Sequence, residues 1–255
     1  MSEAVVILRP DWDVAGVNAG FTLRTGGVSS PPYDSLNLAL HVGDDPAAVR
    51  ENRRRLAEAA GLEVDPAWVN QVHGNQVVHA QAVERGKTAA DAVWSDRRGD
   101  VCAVLTADCA PVLLADRAGR CVAAIHAGWR GLACGVIPRC VDALPVKASA
   151  LDAFVGPCIG ASAYRVGAEV VERMREAGVE PVANPIPHEP GRISSSAGAT
   201  HFQLSLVDTA VSVLKRLGVT QVYTRRHCTH ADSTRFYSYR RNTRTGRSVG
   251  FITRV

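Results

Sequence analysis

Apolar residues along this chain recur with two periods, one near three to four residues and one near two, and the switches between them outline the elements. The stretch DDPAAVRENRRRLAEAAGL (44–62) has helical spacing, an aspartate cap, a proline in the first turn and a closing glycine, which predicts a helix. AWVNQVHGNQVVHA (67–80) alternates about a glycine and predicts a hairpin. DAVWSD, VCAVLTADCAPVLLAD (101–116) and GRCVAAIHAG (119–128) are short β-rich runs. RGLACGVIPRCVDAL (130–144) predicts a helix weakened by its glycine and proline, and LDAFVGPCI (151–159) a strand. GAEVVERMREAGV (167–179) and LSLVDTAVSVLKRLGV (204–219) are amphipathic helices, and QVYTRRHC leads as a strand into a basic segment. AGFTLRTGGVSSPPYDSLNLAL (19–40) starts as a strand and becomes a loop, and NPIPHEPGRISSSAGAT (184–200) is a long polar loop. Strands and helices alternate irregularly, with no repeat and no clear linker. The pattern predicts one α+β domain over 1–255, layered around mixed sheets rather than a regular parallel sheet.

Composition narrows the class. Of 255 residues, 46% are apolar and 21% charged, which is ordinary for a soluble globular protein. No apolar run approaches the ~20 residues of a membrane helix. The start, MSEAVVILRPDWD, lacks the basic residues and cleavage site of a signal peptide, so a cytoplasmic location is expected. Seven cysteines, an odd number with no CxxC pair, argue against a disulfide framework; most read as small buried hydrophobes. The net charge of +4 is uneven: eight arginines and one acid lie between Arg225 and the end. That asymmetry points to an anionic ligand, phosphate or nucleic acid.

Three residues carry candidate chemistry: His73 in QVHGN, Cys109 in LTADCAP and His126 in AIHAGWRG, each at a turn or strand end. Two imidazoles and a thiolate with an open fourth position have the composition of a catalytic zinc site. The gaps of 36 and 17 residues match no local zinc motif, and each residue taken singly fits a packing role equally well. Asp108 is a candidate supporting group or general base, although strand alternation points it away from Cys109. Trp129 reads as core or as a wall for an aromatic base. HCTH (227–230) looks like a copper-oxidase fragment. A blue-copper site wants a weak axial ligand such as Met, however, and the chain has only Met1 and Met174; eight histidines are too few for a multicopper cluster.

The segments LRTGGVS, NQVHG, TADCAP, HAGWRG, GPCIG and FYSYRRNTRTGR, in this order, closely resemble the YfiH/laccase-domain family. Its members go by polyphenol oxidase, peptidoglycan editing factor and purine nucleoside phosphorylase. The resemblance covers about Gly20 to Arg254. It implies a four-layer α/β/β/α sandwich and a catalytic zinc, with copper the lesser alternative, held by His73, Cys109 and His126. It also implies substrate or phosphate contacts at Arg24, Asn37, Asp108 and Arg240. Arg24 precedes TGG, a turn able to form an anion nest, and Arg240 and Arg241 offer guanidinium forks for phosphate. Arg244, Arg247 and Arg254 read as solvated or paired surface charges. Relatives often carry cysteine just after GPCIG and aspartate after SYRR; this chain has ASAY and Asn242 there.

The activity implied is phosphorolysis of adenosine, inosine, guanosine and methylthioadenosine, with adenosine deamination beside it. The expected partners are therefore purine nucleosides and inorganic phosphate. Two enzymatic alternatives use the same residues: a cysteine-type hydrolase in peptidoglycan precursor editing, and a copper-dependent polyphenol oxidase. Nucleic-acid binding by RFYSYRR is a fourth reading. It is disfavoured because the remainder of the chain has a slight acidic excess and the His2Cys set would have no role.

Overall fold

The computed structural model describes residues 3–186 and 201–255. Along the chain run β1 (Ile7–Leu8), β2 (Val17–Thr22), α1 (Pro46–Ala60), β3 (Val77–His79), β4 (Ala92–Ser95), β5 (Val101–Thr106), β6 (Ala110–Asp116), β7 (Val122–Ala127), α2 (Trp129–Ala133), α3 (Val136–Ala143), β8 (Leu151–Val155), β9 (Arg165–Gly167), α4 (Ala168–Glu176), β10 (Ala183–Ile186), β11 (His201–Leu204), α5 (Leu206–Arg216), β12 (Gln221–Thr224) and β13 (Ser248–Arg254). They form a mixed α/β structure with three sheets. One is antiparallel, in the order β1-β2-β13-β5. The largest is mixed, β12-β8-β6-β7-β4-β3, and a small one is β10-β11-β9.

The side-chain alternation of a strand decides what each sheet face meets. In β7, Val122 and Ala124 join a cluster with Cys102 and Val104 of β5, so this face packs on the other sheet. Ala123, Ile125 and Ala127 point the opposite way and pack against residues of α2 to α5. On the far side of the antiparallel sheet, Ala103 and Phe251 meet Leu56 of α1. β5 to β8 are buried along their whole length, which is why they read as continuous apolar runs rather than clean alternation.

α1 has the cap pattern read from the sequence. Asp45 accepts from the Ala47 amide, and Gly61 closes the helix in the left-handed conformation. Three expectations are corrected. Residues 67–80 are not a hairpin: Ala67 bridges Cys102, Asn70 bridges Ala89, and β3 pairs with β4 in parallel. The helix expected over 130–144 breaks into α2 and α3 at Gly135, whose φ of 78° a right-handed helix cannot hold. The loop over 184–200 begins instead as β10, and its remainder lies outside the described residues.

A buried polar hub ties α1 to the loop after β2. The Asn52 amide donates to Ser29 Oγ and to the carbonyls of Ser35 and Asn37, and its oxygen accepts from the Val28 amide at 2.8 Å. Substituting Asn52→Ala strands those groups in the interior and is expected to cost about 3 kcal/mol of stability. Urea unfolding measures it; a loss under about 0.5 kcal/mol would show that the loop is held elsewhere.

Candidate metal centre and reaction cavity

The β6–β7 pairing sets two of the three donors. Pro111 lies opposite His126 in that ladder, and Ala110 opposite Ala127. Cys109, one residue before β6, thus comes level with Gly128, one residue after β7. Cys109 and His126 share the strand parity that faces the other sheet, so both side chains emerge where the two sheets end. Gly128 permits the approach: a Cβ there would stand 2.7 Å from Cys109 Sγ. His73 arrives from the loop before β3, with a left-handed φ of 58°.

One ligand atom from each of His73, Cys109 and His126 lies within 4.8 Å of the others, a spacing of donors that share one ion. The imidazole rings of His73 and His126 meet edge to face at 4.8 Å. Asp91, just before β4, organises the group. Its Oδ1 accepts from His126 Nδ1 at 2.9 Å and from the His73 amide at 2.9 Å. Its Oδ2 accepts from the Gly74 amide at 2.7 Å and the Val72 amide at 3.3 Å. With Nδ1 donating to Asp91, His126 has Nε2 left for the donor cluster, the tautomer a metal ligand requires.

The charges agree with this geometry. Burial pushes the Cys109 thiol up, but the neighbouring imidazoles, His126 foremost and then His73, outweigh it and bring the pKa down to about 6. Burial lowers His126, yet Cys109 and Asp91 outweigh that and raise it to about 9. Without a metal, the pair is a thiolate and an imidazolium. Cys158 close by shows the contrast: burial, with the charges of Cys109 and Cys228, pushes it up to about 12. A soft thiolate with two imidazoles, a glycine cleared beside the sulfur and a carboxylate fixing one ring fit a zinc-type ion.

These donors open on a cavity of about 690 Å³. Arg130, Arg240 and Arg247 line it, each over an aromatic ring: Trp129 at 4.6 Å, Tyr164 at 5.0 Å and Tyr239 at 5.6 Å. Arg240 Nη1 donates to the Arg165 carbonyl and Arg247 Nη1 to the carbonyls of Thr245 and Gly246. Arg247 is therefore not the surface charge that its sequence context suggested; it is half-buried, and burial lowers its pKa.

The other expected contacts fall as follows. Asp108 lines the cavity, but its carboxylate accepts from Thr229 Oγ1 at 2.7 Å, Ser238 Oγ at 3.0 Å and the Arg240 amide at 2.7 Å. It clamps the C-terminal segment so that Arg240 reaches the cavity. Arg24 pairs with Asp34 at 3.0 Å and stacks over Tyr237, and the backbone at Ser35 fills the space beside Gly27. Asn37 is buried and bonded to Ala39, Asp44 and Arg247. Neither Arg24 nor Asn37 lies on the cavity wall. Arg241 donates to the carbonyls of Thr229, His230 and Phe236. In HCTH, Cys228 accepts from the Gly160 amide and His227 lies against Phe236. Asp91, Arg130 and the two tyrosines were not identified from the sequence.

The chain as a whole is similar to several known proteins. A family model described as multi-copper polyphenol oxidoreductase laccase matches residues 18–255. A purine nucleoside phosphorylase of Pseudomonas aeruginosa is 46% identical over 246 residues, covering 96% of this chain and 97% of that one. The purine nucleoside phosphorylase YfiH of Escherichia coli is 41% identical over 253 residues, covering 99% of each. Among solved structures, a DUF152 protein of Neisseria meningitidis superposes with a TM-score of 0.84 at 40% identity, covering 98% of this chain and 99% of that one. YlmD of Geobacillus stearothermophilus gives 0.79 at 32%, covering 94% and 93%.

Two measurements test the centre. Asp91→Asn places an amide N–H₂ among four donors, so metal affinity should fall about 10- to 100-fold, read by competition with a chromophoric chelator; a change under about twofold would remove Asp91 from the account. In metal-free protein, iodoacetamide should alkylate Cys109 readily at pH 7, slow as pH falls through about 6, and be blocked by added zinc. Alkylation that begins only near the pKa of a free thiol, ~8.5, would contradict the thiolate pair.

Proposed function

We propose that this chain, which belongs to the family of multi-copper polyphenol oxidoreductase laccases, is a purine nucleoside phosphorylase with one zinc ion at His73, Cys109 and His126. The observation that carries this reading is a metal donor set and three guanidiniums meeting in one cavity. Relatives named purine nucleoside phosphorylase support it across nearly the whole chain. The substrates are adenosine, inosine, guanosine and methylthioadenosine with inorganic phosphate. A single domain spanning 1–255, a four-layer α/β/β/α stacking and a cytoplasmic location complete the proposal. The packing of α1 on one sheet and of α2 to α5 on the other supports that stacking. No described helix is long and apolar enough to cross a membrane.

In phosphorolysis a phosphate oxygen bonds to ribose C1′ and the C1′–N9 bond breaks. The purine leaves with the bonding pair and takes a proton, giving free base and ribose 1-phosphate. Arg130, Arg240 and Arg247 hold the phosphate, and their stacking on aromatic rings fixes its direction of attack. Tyr164, Tyr239 and Trp129 offer flat walls to the purine. When bound, zinc supplies Lewis-acid polarisation of an oxygen. In adenosine deamination at the same centre, water replaces the C6 amino group, giving inosine and ammonia. Copper oxidase chemistry is disfavoured because His73, Cys109 and His126 form the one such metal-ligand cluster among the described residues.

A cysteine hydrolase remains the second reading, favoured by the low pKa of Cys109 beside His126. Metal analysis and adenosine-plus-phosphate turnover on wild type and Cys109→Ala separate the two. The expected result is about one zinc per chain and release of adenine, both lost in the variant, with inosine reporting deamination. Activity that survives zinc removal but not loss of Cys109 would favour the hydrolase, and zinc-loaded protein inert to nucleosides would leave the centre without this substrate.

A further inference from the structure

A second cavity, about 680 Å³, abuts the first, and both are walled by His41 and Leu105. Each alone falls within the size of a small-molecule site. The second is lined by one face of α1, where Arg50, Arg53, Arg54 and Ala57 recur at helical spacing, and across from it by Trp68 and Arg85. Arg54 is held by Glu51 and Glu58, and Arg85 by Asp65 at 2.7 Å. Arg53 stacks on the Trp68 ring at 3.8 Å and donates to the Leu38 carbonyl. Arg50 and Arg53 are thus the cations of this wall without a carboxylate partner among the described residues.

We infer that this second cavity is a subsite for the phosphorylated 5′ arm of a purine nucleotide, with Arg50 and Arg53 receiving the phosphate. The inference rests on the nucleoside reading of the first cavity. In a nucleoside the breaking bond is at C1′, and the free arm is C5′, on the far side of the ribose. With C1′ in the reaction cavity, the inferred pose sends C5′ past His41, which both cavities share as wall. Partial burial and the charges of Arg247 and Arg53 disfavour protonation of His41. The boundary between the cavities therefore carries positive potential, which an anionic arm would neutralise. Arg53 is pre-set as a receptor: its plane is fixed by Trp68, so little freedom is lost when it binds a phosphate. Leu40, Leu62 and Val64 give the same cavity apolar walls beside the cations; Glu63 and Asp65 also line it, Asp65 being paired with Arg85.

Titration calorimetry without inorganic phosphate, comparing adenosine 5′-monophosphate with adenosine, tests the inference on the purified protein. At low salt the nucleotide should bind about tenfold tighter, and raising the salt should shrink that ratio. Arg50→Gln and Arg53→Gln should each reduce the ratio severalfold. Arg50 is exposed, so its variant tests the subsite even if Arg53→Gln fails to fold. Adenosine binding with no advantage for the nucleotide, or a ratio untouched by Arg50→Gln, would overturn the subsite and leave the nucleoside reading standing. Binding of neither ligand would overturn both.

Discussion

A buried carboxylate, Asp91, accepts from an imidazole at the end of β7 and from three successive amides of the loop carrying His73, and the other features of the centre follow from that junction. Burial alone would favour the neutral acid. The hydrogen bonds outweigh it and hold the carboxyl below its usual range. The charge kept there orients His126 and sustains its positive form when no metal is bound. That imidazolium, in turn, favours the charged form of Cys109 and holds its thiol below the usual range. The Cys109 thiol is therefore kept below its usual range in a place where burial opposes it.

The scaffold contributes stiffness. β6 and β7 are interior strands of the large sheet, buried on both faces, and their shared end cannot shift without disturbing the cluster between the sheets. Strain collects where this rigid end meets the loops. Among the described residues, the two non-glycine residues with positive φ are His73 and Asp108, one a donor and the other beside one. Each is compensated by carboxylate hydrogen bonds: Asp91 holds the backbone of His73, and Asp108 accepts from the segment that brings in Arg240. Two acids thus bring the His73, Cys109 and His126 donor set and the Arg240 guanidinium to one cavity.

Much of this was legible in the chain, unevenly. α1 was visible because its cap, proline and closing glycine are local signals. His73, Cys109 and His126 were visible because turn residues and motif resemblance mark them, and the structure brings all three together. Asp91 was not, because in the sequence it is one acid before a short strand; its partners lie 17 to 35 residues away and only folding supplies them. Residues 67–80 were misread because alternation reports which face a side chain takes, not which strand is its neighbour. Arg247 was discounted because an arginine near a chain end is usually solvated, whereas here β13 lies between two strands and draws it inward.

The proposed function requires that one metal, organised by Asp91 through His73 and His126, share a cavity with a purine nucleoside. Anomalous diffraction at the zinc edge, on crystals grown with inosine, tests it most directly. One peak in contact with His73, Cys109 and His126 is expected, with ligand density in the same cavity beside Arg240 and Arg247. A peak at residues 227–230, or nucleoside density away from the metal, would contradict it.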